Sequence, residues 1–108
     1  MIEAEKKPED RGPDELPLPP ATFSFLVFSL RTQAEVSLGL LAPGDEKEQP
    51  PVDLKSARHS IDLLAMLQEK TRGNLSLEEQ RFLDNSLTEL RFRYVQAVEA
   101  SRKQKQPE

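Results

Sequence analysis

The chain of 108 residues contains no cysteine, which excludes disulfide bonds, thiolate nucleophiles and metal sites built on cysteine. It has a single histidine, His59, and four glycines. One histidine with a neighbouring aspartate supplies too few ligands for zinc, and few positions are free to wrap a phosphate with backbone. We therefore expect no catalytic residue, no cofactor and no metal, and we predict that the protein is not an enzyme.

The chain also lacks a long hydrophobic run. The longest one extends from Phe23 to Leu30, and two serines interrupt it. A helix needs about 20 apolar residues to span a membrane, so no span is predicted. The start of the chain is acidic after Met1 and lacks the basic segment of a secretory signal. From these features we expect a cytoplasmic protein.

The two ends of the chain are polar. Residues 1–21 are dominated by Glu, Lys, Asp and Pro, and their small apolar surface cannot offset the entropy cost of ordering. We predict a disordered arm over 1–21, a helical domain over 22–101 and a disordered tail over 102–108. A domain of about 80 residues can bury only a small core, so size alone favours association.

The spacing of apolar residues predicts an all-α fold of three helices. Thr22 suits the N-cap of helix 1, which is expected to end at Leu38 because Gly39 can adopt the left-handed conformation. A Pro-rich loop over 42–51 follows. Asp53 then suits the N-cap of helix 2.

The stretch GNLSLEE, residues 73–79, predicts a sharp corner between helices 2 and 3. Gly73 can end helix 2, and Ser76 with Glu79 forms the S-x-x-E capping box that starts helix 3. Helix 3 carries apolar residues at heptad-like spacing, namely Leu83, Leu87, Leu90, Tyr94 and Ala97. This seam predicts that helices 2 and 3 form an antiparallel hairpin against which helix 1 packs.

Two stretches carry a family resemblance: FSFLVFSLRTQAEVSLGLL and VDLKSARHSIDLLAMLQEKTRGNLSLEEQRFLDNSLTELRFRYV. With their spacing they resemble the small bacterial family catalogued as domain of unknown function 1844, over about residues 23 to 95. The resemblance implies a short, mainly helical, cytoplasmic bacterial protein. It brings no activity, cofactor or catalytic residue that could be transferred to this chain.

Helix 1 is predicted to be apolar on two opposite faces. The stripe expected to face the core holds Phe23, Leu26, Val27, Leu30, Ala34 and Leu38. The opposite stripe holds Phe25, Phe28 and Val36. Two neighbouring helices can cover only one side of a third, so this second stripe would stay in water, and contiguous apolar exposure marks an interaction site.

We therefore predict a homo-oligomer, most simply a twofold dimer with helix 1 near the axis. The residues expected to line the contact are Phe25, Phe28, Val36, Leu63, Met66 and Phe92. The functional hypothesis is a non-catalytic protein-interaction module that binds itself and another bacterial protein. His59 is expected to lie near Leu63 and Met66 on helix 2, so we predict that its side chain is partly buried or interfacial.

An alternative interpretation concerns the basic end of helix 3, which suggests a small RNA-associated protein. Its basic residues are Arg91, Arg93, Arg102, Lys103 and Lys105, with Phe92 and Tyr94 among them. Charge combined with aromatic stacking is typical of RNA contacts. However, Glu89 and Glu99 dilute the patch and the net charge is −4, so nucleic acid is not the expected principal partner.

Overall fold

A computed structural model of the chain describes residues 17–41 and 51–105. These residues contain three α-helices, α1 (Phe23–Ser37), α2 (Leu54–Lys70) and α3 (Leu77–Lys105), and no strand. Each helix packs against the other two. The predicted all-α, three-helix fold is therefore confirmed.

Local hydrogen bonds define both ends of α1. The Thr22 hydroxyl accepts from the Phe25 N–H at 3.0 Å, so the predicted N-cap is confirmed. At the other end, the Leu40 N–H donates to the Glu35 carbonyl at 2.9 Å and the Gly39 N–H donates to the Val36 carbonyl at 3.0 Å. This pair of bonds is a Schellman motif, which requires the positive φ of 77° that Gly39 adopts.

The start of α2 is tied to the end of α1. The Asp53 N–H donates to the Ser37 carbonyl at 2.8 Å, which brings the two helix ends side by side. The Asp53 carboxylate caps α2 by accepting from the Ser56 N–H at 3.0 Å and from the Ser56 hydroxyl at 2.8 Å. These bonds favour the ionised carboxylate, so they lower the pKa of Asp53 below its ordinary value.

The corner between α2 and α3 is built as predicted. The Asn74 N–H donates to the Thr71 carbonyl at 2.8 Å across a turn in which Gly73 has a φ of 80°. Ser76 and Glu79 then exchange hydrogen bonds: the Ser76 N–H donates to Glu79 Oε1 at 2.8 Å, and the Glu79 N–H donates to Ser76 Oγ at 3.1 Å. Both halves of the capping box are therefore present.

Contacts between α2 and α3 agree in order with the predicted antiparallel hairpin, which stays a prediction over its full length. Near the corner, Gln68 Nε2 donates to Asp84 Oδ1 at 2.8 Å. Farther from the corner, Ile61 and Tyr94 border the same groove. These two pairs follow the order that an antiparallel hairpin predicts.

Nine apolar side chains form the buried core, and all three helices contribute to it. They are Val27, Ala34, Leu38, Ala57, Ile61, Leu64, Leu83, Leu87 and Leu90. Tyr94 and Ala97 pack against this core while partly buried, as the heptad-like seam predicts. Leu26 departs from the prediction, since it is 45% exposed. Leu26 lies about 100° around α1 from Val27, so it falls at the edge of the face that packs into the core. This buried face is narrower than the stripe predicted from the sequence.

The predicted arm and tail fall mostly outside the described residues. Residues 17–21 are described, and they are exposed and have no regular secondary structure. The helix α3 continues to Lys105, which is past the predicted boundary at residue 102, and the domain boundaries stay predictions. Residues 101–105 include Arg, Gln and two Lys, which favour helix, and no Gly or Pro interrupts them. Within the described residues, no helix combines the length and apolarity needed to cross a membrane.

Candidate interaction surface

The side of α1 that faces away from the core carries two exposed phenylalanines. Phe25 is 39% exposed and Phe28 is 51% exposed, and their ring centroids lie 6.1 Å apart with the planes tilted by 36°. Val36 is exposed farther along the same side. The structure thus leaves all three residues of the predicted second stripe in contact with solvent.

Polar groups on this side of α1 add little to its polarity. Ser29 lies between the two ends of the stripe, and its hydroxyl donates to the Phe25 carbonyl at 3.0 Å. A serine bonded back to its own helix presents less hydrogen-bonding capacity to solvent. Thr32 is half-buried. We refer to Phe25, Phe28, Ser29, Thr32 and Val36 together as the α1 face.

The two α2 residues of the predicted interface differ in exposure. Met66 is exposed and Leu63 is half-buried. Helical rotation places Leu26, which the sequence assigned to the core, on the side of α1 between its core stripe and the α1 face. Leu26 is therefore an exposed apolar residue that the sequence prediction missed. The prediction assigned each apolar residue of helix 1 to one of two opposite stripes and allowed no position between them.

Phe92 on α3 is 59% exposed. It follows Leu90 by two residues, which turns it about 200° around the helix from that fully buried side chain. The exposed Val95, absent from the predicted interface, lies three residues later on the same side of α3. Phe25 and Phe28 are the two predicted interface residues whose aromatic rings pair within the described part of the chain.

His59 is exposed in the single chain, so it is not partly buried there, and an interfacial side chain stays a prediction. It lies about 220° around α2 from the fully buried Leu64, which turns it away from the core. The residue lines an open groove of about 790 Å³ between α1 and α2. The groove is bordered by Thr32, Gln33, Val36, Ser37, Lys55, Ser56, Arg58, His59, Ser60 and Asp62.

The basic end of α3 is partly neutralised by its own helix. Arg93 Nε lies 2.9 Å from Glu89 Oε2, and Arg102 Nη1 lies 3.6 Å from Glu99 Oε2. Arg91 instead borders a smaller groove of about 250 Å³ between α2 and α3, together with Arg58, Ile61, Asp62, Tyr94 and Val95. Two of the arginines proposed for RNA contact are thus engaged within α3.

Across residues 17–41 and 51–105, no group of three or more His, Asp or Glu side chains is placed to hold a metal ion. The carboxylates that the structure groups together serve as helix caps and in side-chain pairs. Asp84, for example, accepts from Gln68 at 2.8 Å and from Gln80 at 3.0 Å.

Comparison with known proteins identifies one family. The family model described as "Domain of unknown function (DUF1844)" matches residues 20–96, which include α1, α2, the corner and most of α3. Neither the curated proteins nor the solved structures give a match to the chain.

Proposed function

Because the chain belongs to a domain family whose description assigns no activity, we propose its function from its surface: a non-catalytic helical module that associates with a second copy of itself. The observation that carries the proposal is the α1 face, where the paired rings of Phe25 and Phe28 remain exposed beside a well-formed core. Fully burying one large apolar side chain contributes roughly 1.5–3 kcal/mol, so covering several partly exposed ones favours association.

The composition of the α1 face favours a second copy as its partner. None of its five residues is charged. The nearest charged groups on α1, Arg31 and Glu35, pair with each other at 3.1 Å. In a twofold dimer the same face meets itself, and this uncharged face can do so without like-charge repulsion.

The small core also supports association. Among the described residues, nine apolar side chains are buried, whereas twelve large apolar side chains are exposed. Dimerisation through the α1 face would bury additional apolar surface of each copy. Leu63, Met66 and Phe92 are the residues of α2 and α3 that are proposed to join this contact.

The proposed role within the cell is an interaction module that acts in the cytoplasm and presents its helices to another bacterial protein. Phe92 and Val95, which are exposed on α3, offer an apolar surface for such a partner.

The substitution Phe28→Asp tests the α1 face. A carboxylate at the centre of a twofold contact would meet its own copy, so we expect the oligomer to dissociate while helicity by circular dichroism is kept. Leu77→Asp is the matched control, since Leu77 is 65% exposed in the first turn of α3, where an acidic residue suits the helix end. An unchanged oligomer with native helicity in Phe28→Asp would remove this face from the interface.

A second candidate function is RNA association through the basic end of α3. The observation in its favour is the groove where Arg91 lies with Arg58 and Tyr94, which combines two guanidinium groups with an aromatic ring. If RNA binds there, its retention should weaken as salt is raised and should be lost in Arg91→Gln/Arg93→Gln. Arg81→Gln, at an exposed position earlier in α3, is the control.

A further inference from the structure

The groove between α1 and α2 has an ordered arrangement of polar groups along its α2 wall. Lys55 and His59 are four residues apart, so they lie one above the other on the outer side. Ser56 and Ser60 form a parallel row next to them. All four residues border the groove. A volume of about 790 Å³ is large enough for a small molecule.

The charges along this wall leave one cationic side chain, Lys55, available beside His59. Arg58 is paired with Asp62, with Arg58 Nε 3.9 Å from Asp62 Oδ2. No carboxylate of the described part of the chain lies within 4.0 Å of the Lys55 or His59 nitrogen atoms. The Asp53 carboxylate at the start of the helix is engaged by Ser56. The wall therefore carries the positive charge of Lys55 beside the imidazole ring of His59, in a chain whose net charge is −4.

Ser60 is the third polar group of the groove wall. It is only 5% exposed, and it borders the groove. Its hydroxyl makes no hydrogen bond with another described residue, whereas the Ser56 hydroxyl donates to Asp53. The Ser60 hydroxyl is therefore a candidate donor to a ligand in the groove.

We propose that this groove binds the phosphate group of a small molecule. Lys55 supplies a charge-assisted donor and His59 a ring N–H from one row, and Ser60 supplies a hydroxyl from the other. A phosphate monoester carries about 1.5 to 2 negative charges near neutral pH and three acceptor oxygens, so it matches one cationic side chain and two further donors better than a carboxylate does.

The test is a titration of the full ¹⁵N-labelled chain, followed by amide chemical shifts, with inorganic phosphate and phenyl phosphate as probes. Acetate at matched ionic strength is the third arm. We expect saturable shifts centred on residues 55–60 with one or both phosphate probes, and weaker shifts with acetate. Which probe binds more tightly distinguishes free phosphate from a phosphate ester.

Two variants make the assignment specific. Lys55→Gln should weaken phosphate binding about tenfold or more, because a charge-assisted hydrogen bond is lost. Lys70→Gln, at the opposite end of α2, should leave binding unchanged. Shifts that do not saturate, that acetate reproduces, or that survive Lys55→Gln would overturn the proposal. Thr32 and Val36 border the groove and also belong to the α1 face, so the titration is repeated with Phe28→Asp. Phosphate binding should persist in this variant, which separates it from self-association through the α1 face.

Discussion

The Arg31 guanidinium and the Ser86 hydroxyl meet between α1 and α3, with Arg31 Nη1 3.4 Å from Ser86 Oγ. Ser86 is fully buried, and it is one of two buried polar residues in the described part of the chain. Arg31 is held in place from the other side by Glu35, whose Oε2 lies 3.1 Å from Arg31 Nε. This polar link fixes the position of α1 relative to α3 at the edge of the α1 face.

Arg31→Met should destabilise the fold by about 1–3 kcal/mol, because the buried Ser86 hydroxyl would lose its donor. Ser86→Ala should cost less, since it removes the polar group together with its hydrogen bond. In the double variant Arg31→Met/Ser86→Ala, the total loss of stability should be smaller than the sum of the two single losses. Urea unfolding of the four proteins measures these differences, and strictly additive costs would show that the two side chains do not interact.

Gly73→Ala should destabilise the protein by about 1–2 kcal/mol, because Gly73 has a φ of 80° that a side chain disfavours. A Cβ at this position would meet no atom within 4 Å, so the cost would come from backbone conformation alone. Gly73→Asn should recover part of the loss, since asparagine tolerates this conformation better than alanine. Equal stability of the alanine and asparagine variants in chemical denaturation would contradict this explanation.

Asp53 should make stability depend on pH in the acid range. Its pKa is lowered by hydrogen bonds from the Ser56 backbone and side chain, so the folded state binds its proton less readily than the unfolded state. The contribution is present above the ordinary value of 3.8 and is lost as pH falls through the lower folded pKa. NMR titration of the carboxyl carbon should give a folded midpoint below 3.8, and Asp53→Asn should remove this part of the dependence.

Local signals in the sequence predicted the helix ends well. Thr22, Asp53 and the Ser76–Glu79 box depend on hydrogen bonds within a few residues, which the chain order alone determines. Gly39 and Gly73 belong to the same class, because a left-handed turn strongly favours glycine. The central core positions also followed from periodicity, since Leu83, Leu87 and Leu90 lie on one stripe.

Features that depend on how the helices rotate against each other were harder to predict. Leu26 and His59 lie near the borders of apolar stripes, and a small rotation decides whether such a residue is covered or exposed. The Arg31–Ser86 link joins residues 55 positions apart, so no local pattern indicates it. The groove at Ser60 was missed for the same reason, because one of its walls belongs to another helix.

Sedimentation equilibrium of the full, unsubstituted chain over micromolar concentrations tests the central claim most directly. The chain has a mass of 12.3 kDa. Self-association through the α1 face predicts a concentration-dependent mass that rises toward about twice this value or more, as expected for a twofold contact. A single 12.3 kDa species with native helicity at the highest concentration would contradict the claim.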